Sequence, residues 1–377
     1  MKVVIIGTRG FPNVQGGVEK HCENLAVHLV RLGCEVEVFT RRPYVDENIK
    51  EFEGVRLIAL PTIKHKSLEA FLHTLLGVLV AVSHRPNILH IQAIGPALFV
   101  PLARLFGMKV VLTSHGSNYE HLKWGKFARL VLRLGEFLGV TFAHRIIAIS
   151  EPIAEHIKKK YGKNARCILN GATRSRFVET ERTLAKLELE KRKYILSVGR
   201  IVPEKGFCDL IDAFHKLQSE SDRCDIKSWK LVIVGRADHE DTYSSKLRGK
   251  ATASPNIILT GFLSGQPLQE IYSHAGLFVV PSYYEGLSLV LLEAMCYGIS
   301  CIVSDIPANR EVGISENRFF KAGDIDQLAE KIHQFMARQL SEEERDGQIR
   351  AITTKYSWER MAEQTLEVYS ELQGNEG

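Results

Sequence analysis

The residues best suited to chemistry sit where a strand signal gives way to a helix signal. Pro281-Ser282-Tyr283-Tyr284-Glu285-Gly286-Leu287-Ser288-Leu289-Val290-Leu291-Leu292-Glu293-Ala294-Met295 sets two carboxylates eight positions apart, Glu285 in a turn and Glu293 inside an apolar helix with Ser288 as its expected cap. A carboxylate among apolar side chains is costly unless it is hydrogen-bonded, and the adjacent hydroxyls of a ribose would serve Glu293 as donors. Glu285, at the loop tip, is placed to accept from sugar hydroxyls. The amides of Gly286, Leu287, Ser288 and Leu289 open a helix N-terminus, whose partial positive charge suits an anion.

A second loop, Val198-Gly199-Arg200-Ile201-Val202-Pro203-Glu204-Lys205-Gly206, carries two cations between a strand and a helix. When a nucleoside diphosphate departs, negative charge develops on its β-phosphate, and fixed donors aimed there lower the barrier. Arg200 offers a fork and Lys205 a point charge. Taken alone, such a loop reads equally as a solvated surface. The first loop of the chain runs from Gly7 to Glu19, and Gly16 and Gly17 lie at the positive end of the helix that follows. Glycines there let backbone N–H groups approach a diphosphate closely, or simply form a turn. The spacing is not G-x-G-x-x-G, which disfavours a nicotinamide dehydrogenase.

His115 directly follows the strand expected at 110–113, at the carboxyl end where open α/β sheets bind ligands, although a lone histidine in such a position is often structural. Asp324-Ile325-Asp326 matches a metal-binding D-x-D triplet but immediately precedes an amphipathic helix, so Asp324 reads as its N-cap. No other carboxylate or histidine cluster has ligand spacing, and the two cations can neutralise a leaving group, so no metal and no cofactor is expected.

These loops need a scaffold. Short β-branched runs alternate with helix-period segments over 3–6, 18–31, 35–39, 88–91, 109–113 and 145–149, a rhythm of parallel strands with crossover helices. The pattern lapses into a polar stretch near 170–193, then resumes with strands at 194–199, 230–234, 257–259, 277–280 and 301–303. The expectation is α/β, with two Rossmann-like doubly wound domains at residues 1–175 and 176–355. A final helix capped by Ser357, within 356–377, packs back on the first domain. A chain of 377 residues exceeds the ~250 at which single cores stop growing. Ligands bind outside the carboxyl ends of strands in such sheets, so loops of the two domains are expected to face each other across a cleft.

The segments E-G-L-S-L-V-L-L-E-A-M, V-G-R-x-x-x-E-K-G and G-G-V-E together resemble the retaining GT-B glycosyltransferases of family 4, over nearly the whole chain. The opening T-R-G-F-P-x-x-x-G-G-V-E is similar to bacterial cell-surface polysaccharide enzymes of that group. The resemblance implies transfer of a sugar from a nucleotide-diphosphate donor, by family frequency a UDP-sugar, to a saccharide or lipid-linked saccharide. It assigns Arg200 and Lys205 to the diphosphate, Glu293 to the ribose, and Glu285 with the amides after it to the transferred sugar. Gly16 and Gly17 fall on the phosphate side, His115 in the active site, and Gly235-Arg236 with Gly261-Phe262 at the base. Front-face attack, the family's favoured description of retention, needs no protein nucleophile. Two rivals remain: a GT-B nucleotide-sugar epimerase, and a non-catalytic sugar-nucleotide-binding protein.

Between Lys123 and Val140, Trp124, Phe127, Leu130, Val131, Leu134 and Leu138 alternate with Lys123, Lys126, Arg129 and Arg133. Such a basic amphipathic helix either covers a core or lies on anionic lipid through residues 123–140. A net charge of +5, spread along the chain, does not imply nucleic acid. Seven cysteines without a C-x-x-C pair read as buried thiols in a reducing compartment. With no leader or spanning segment apparent, the expected location is the cytoplasm, or peripherally the inner face of the cell membrane.

Overall fold

The computed structural model describes residues 1–63, 68–116, 125–173, 175–220, 227–336 and 338–374. They fold into two compact units, Met1–Gly171 with Tyr356–Gly377, and Ala172–Lys355.

In the first unit, β1 (Lys2–Ile6), β2 (Glu35–Arg41), β3 (Glu51–Phe52), β4 (Val55–Leu60), β5 (Ile88–Gln92), β6 (Val110–Ser114), β7 (Arg145–Ala148) and β8 (Arg166–Cys167) make one sheet. Its order is β3-β4-β2-β1-β5-β6-β7-β8, and the pairs are parallel except the antiparallel β3–β4. Helices α1 (Gly17–Arg31), α2 (Glu69–His84), α3 (Val100–Leu105), α4 (Lys126–Phe142) and α5 (Glu151–Tyr161) supply crossovers. Parallel strands are covered on both faces and so read as continuous apolar runs. Val3, Val4, Ile5 and Ile6 of β1 are accordingly all buried, and Val4 and Ile6 join Leu89, Ile91, Val110 and Leu112 in one core.

The second unit repeats the plan with β9 (Tyr194–Val198), β10 (Lys230–Val234), β11 (Ile257–Gly261), β12 (Leu277–Val280), β13 (Ser300–Ser304) and β14 (Phe319–Phe320), parallel in the order β11-β10-β9-β12-β13-β14. Its helices are α6 (Arg182–Lys186), α7 (Phe207–Glu220), α8 (Thr242–Ala251), α9 (Gly265–His274), α10 (Leu289–Cys296), α11 (Pro307–Arg310), α12 (Ile325–Met336) and α13 (Glu342–Lys355). Ile195, Leu231, Ile233 and Val279 pack with Phe207, Leu210 and Phe214 of α7. The last helix, α14 (Trp358–Gln373), belongs to the first unit, where Ser357 caps it by accepting from Arg360 N at 3.2 Å.

Each sheet starts with a strand that ends up inside it. From β1 the chain builds outward through β2 to β3, then returns to the other side with β5. From β9 it builds outward to β11 and returns with β12. The carboxyl ends of β1 with β5, and of β9 with β12, are thus the two topological switch points, where this class of sheet leaves room for a ligand.

One expectation needs correction and one alternative is narrowed. Ser288 stands at the N-cap of α10, but its side chain makes no capping bond. Of the two roles open to α4, covering a core or lying on lipid, its large apolar residues Phe127, Leu130, Leu134 and Phe137 do not serve the first. The helix instead buries Gly135, Glu136, Gly139 and Val140, because small residues let it approach the segment after β5 closely. A Cβ at Gly135 would stand 2.2 Å from Ile94 O, and one at Gly139 would stand 2.6 Å from Ala97 Cβ. Phe127, Leu130, Leu134 and Phe137 consequently face solvent. Lys123 and Trp124 lie outside the described residues. Of the cysteines, Cys22, Cys34, Cys208, Cys296 and Cys301 are buried thiols, Cys167 is half-buried, and Cys224 lies outside the described residues.

Candidate active site

The second unit's switch point brings together residues 80 positions apart. The loop after β9 ends in a single helical turn, Pro203–Lys205, and the loop after β12 runs alongside it. Tyr283 N donates to Glu204 O at 2.8 Å, and Lys205 Nζ donates to Glu285 Oε1 at 2.6 Å. Ser282 Oγ donates to the same carboxylate oxygen at 2.7 Å. Gly206 makes this contact possible. It sits at φ 65°, and a Cβ there would lie 2.0 Å from Pro281 O. Lys205 and Glu285 are both largely buried, with 18% and 10% of their side chains exposed, so the pair is better shielded than a surface bridge.

Arg200, earlier on the same loop, donates from Nη1 to Asp238 Oδ2 at 3.0 Å, and both side chains are half-buried. Asp238 lies in the loop after β10, and that loop is tied to its neighbour by Gly235 N donating to Gly261 O at 2.9 Å. The guanidinium of Arg236 lies 5.6 Å from the centre of the Phe262 ring. A flat cation over an aromatic face makes a surface on which a further planar group can stack. Gly235, Arg236 and Phe262 are therefore one cluster, on the β10–β11 side of Arg200.

On α10, Glu293 is the half-buried polar residue among Leu291, Leu292, Ala294, Met295 and Cys296, all buried. Tyr272 OH donates to Glu293 Oε2 at 3.2 Å, and the Tyr272 ring stacks on Tyr297 with centroids 5.2 Å apart. Burial, reinforced by the Glu293 charge, pushes the Tyr272 hydroxyl well above its ordinary pKa, so it remains a donor. Gly286, Leu287, Ser288 and Leu289 form the approach to the same helix, and Ser288 Oγ is buried without a hydrogen bond among the described residues. Asp324 caps α12, its Oδ1 accepting from Gln327 N at 2.9 Å, so the D-x-D triplet is spent on a helix end.

In the first unit, Gly16 precedes α1 with φ 149°, and a Cβ there would stand 2.0 Å from Glu19 Oε2. Glu19 is held back against the loop by Arg9, whose Nε donates to Glu19 Oε1 at 3.0 Å. Gly17 differs: among the described residues nothing lies within 4 Å of where its Cβ would be. His115, just past β6, is buried, and its Nε2 lies 2.8 Å from Gln92 Oε1 at the end of β5. His21 of α1 meets it edge to face, with ring centroids 4.8 Å apart. Burial, then the neighbouring His21 and His90, hold His115 well below the usual histidine pKa, so it is neutral.

Sequence reasoning missed Asp238, Tyr272, Ser282, His21 and Gln92. For Gln92 a signal existed, since it closes a strand next to the switch point. Tyr272 and His21 lie inside helices, and only the packing of distant segments reveals them.

Residues 15–176 match the family model for Glycosyltransferase Family 4, and residues 179–355 match that for Glycosyl transferases group 1. The chain belongs to these group 1, family 4 glycosyltransferases, GT-B enzymes that work with nucleotide sugars. An uncharacterized glycosyltransferase of Methanocaldococcus jannaschii is 24% identical across 98% of both chains. The putative teichuronic acid biosynthesis glycosyltransferase TuaC of Bacillus subtilis is 29% identical over 61% of this chain and 56% of its own. Among solved structures, Anabaena HepE in complex with UDP-glucose superposes with a TM-score of 0.77 at 17% identity, covering 98% of this chain and 100% of HepE, a likeness of fold.

Proposed function

We propose that this glycosyltransferase takes its sugar from a UDP-sugar, retains the anomeric configuration, and adds it to a saccharide or lipid-linked saccharide in bacterial cell-surface polysaccharide assembly. The observation that carries this reading is the Lys205–Glu285 contact at the second switch point, with Arg200 on the same loop. Departure of UDP needs positive charge at the β-phosphate, and two protein cations on one strand-to-helix loop supply it without a metal. In this reading Arg200 exchanges Asp238 for phosphate oxygens, and Lys205 bridges the diphosphate and the sugar-binding carboxylate. Glu293, with Tyr272 fixing its orientation, receives the ribose hydroxyls. Phe262 and Arg236 flank the base, while Gly286 to Leu289 offer amides to the transferred sugar. Within the first unit, Gly16 and Gly17 are read as phosphate-side residues and His115 as an active-site residue. UDP as the nucleotide is supported by the HepE complex, and a polysaccharide product by the likeness to TuaC and by the opening loop.

We further propose that the enzyme works in the cytoplasm and rests on anionic lipid through α4. Phe127 is 79% exposed, Leu130 64%, Leu134 46% and Phe137 48%, a stripe along the helix beside the exposed Lys126 and Arg133. Apolar residues beside cations suit the headgroup boundary. Among the described residues, no helix is long and apolar enough to cross a membrane.

The test is a panel of nucleotide sugars in chelator, read by thermal shift and then by product analysis with and without saccharide acceptors. Stabilisation by one UDP-sugar and transfer of its sugar to an acceptor is the expected result. An epimerised nucleotide sugar formed without acceptor, or binding with no turnover on any acceptor, would instead support the epimerase or the non-catalytic reading.

A further inference from the structure

His115 is one end of a buried chain of polar groups that reaches the last helix of the protein. Its Nε2 lies 2.8 Å from Gln92 Oε1, and an amide oxygen only accepts, so the ring proton sits on Nε2. The amide nitrogen of Gln92 donates to His90 Nε2 at 3.2 Å, which requires that nitrogen to be unprotonated. Thr113 Oγ1, 2.7 Å from the same nitrogen, then donates to it as well. His90 keeps its proton on Nδ1 and donates to Tyr369 OH of α14 at 2.6 Å. Each polarity forces the next. With the Gln92 amide turned over, His90 Nε2 would carry the proton and His115 Nε2 would accept instead, so the tautomer of His115 reports the orientation of the amide.

We propose that Gln92 is a positioning residue: it holds His115 as the neutral Nε2–H tautomer, so that Nδ1 presents a lone pair and accepts a hydrogen bond from a hydroxyl of the bound sugar or acceptor. This rests on the reading of His115 as an active-site residue. His21 follows the same pattern. Its Nδ1 donates to Asn170 Oδ1 at 2.6 Å, which leaves the Nε2 lone pair, buried and without a partner among the described residues, on a ring set edge to face with His115. Two neutral imidazoles with lone pairs favour a hydroxyl donor and disfavour a phosphate or carboxylate. Burial keeps His90 at about 3 and His21 at about 4, so the chain stays neutral at physiological pH.

The experiment is a long-range proton–nitrogen spectrum of the full-length protein labelled at histidine nitrogens, with His115 assigned by its absence in His115→Asn. The expected result is a pyrrole-type Nε2 and a pyridine-type Nδ1 for His115, and loss of that preference in Gln92→Leu. In Gln92→Leu, kcat for sugar transfer is expected to fall about tenfold or more while donor KM stays close to wild type. A wild-type spectrum with the proton on Nδ1 overturns the proposal, and that spectrum decides alone if Gln92→Leu does not fold. A His115 tautomer unchanged in folded Gln92→Leu also overturns it. The spectra need no substrate: the expected tautomer without transfer from any nucleotide sugar would count against the proposed reaction and leave the tautomer standing.

Discussion

Lys205 Nζ stands 2.6 Å from Glu285 Oε1, across the carboxyl ends of β9 and β12, the two strands between which the second sheet changes direction. The sheet's winding brings the cation and the carboxylate together, and Gly206 lets their loops touch. Lys205→Ala is therefore expected to lower kcat by about 10²- to 10³-fold, the scale of losing one donor to a developing oxyanion. Steady-state kinetics with circular dichroism as the folding control checks this, and unchanged turnover in a folded variant would remove Lys205 from the reaction.

Gly16 and Gly17 are neighbours with different physics. Gly16→Ala forces a side chain onto Glu19 at a backbone angle that alanine rarely adopts, and is expected to destabilise the first unit by about 1–3 kcal/mol. Gly17→Ala meets open space among the described residues, so its melting temperature should hold, while donor affinity drops if the amide lies against phosphate. Paired thermal melts with and without nucleotide sugar separate these outcomes.

The alternating strands and helices were legible because burial on both faces of a parallel sheet demands uninterrupted β-branched runs such as Val3 to Ile6. The short strands β3, β8 and β14 were not, since two residues carry no periodicity. Arg200, Lys205 and Glu285 could be singled out as loop residues after strands, but their present partners could not. The Asp238 pairing spans 38 positions and the link between His90 and Tyr369 spans 279. The buried face of α4 could not be read from its large apolar residues, which usually mark it, because here Gly135 and Gly139 do so by permitting close approach.

Stability should fall with acid in a defined window. Burial holds His21 and His73 at about 4 and His90 at about 3, against an ordinary value of 6.5. Below 6.5 the unfolded chain binds protons that the folded chain refuses, so stability declines as pH drops from 6.5 toward 4. Each group contributes up to about 1.4 kcal/mol per pH unit within its window. Melting curves from about pH 8 to about pH 5, with proton uptake measured by calorimetry in two buffers, are expected to show this slope. A flat profile would mean the histidines are not held neutral by burial.

Phe127 and Leu134 face solvent on α4, so replacing both with serine should leave the unfolding free energy within about 0.5 kcal/mol of wild type. Sedimentation with anionic vesicles at low salt is expected to carry down the wild type and to leave the double variant in the supernatant. Equal sedimentation of the two proteins would rule out the lipid contact.

The most direct measurement is sugar transfer from the preferred nucleotide sugar in excess chelator, comparing the wild type with Arg200→Ala/Lys205→Ala. If protein cations carry the leaving diphosphate, the wild type keeps its full rate in chelator and the folded double variant loses at least about 10³-fold. A wild type silenced by chelation and restored by a divalent ion, or a double variant that turns over normally, would contradict that claim.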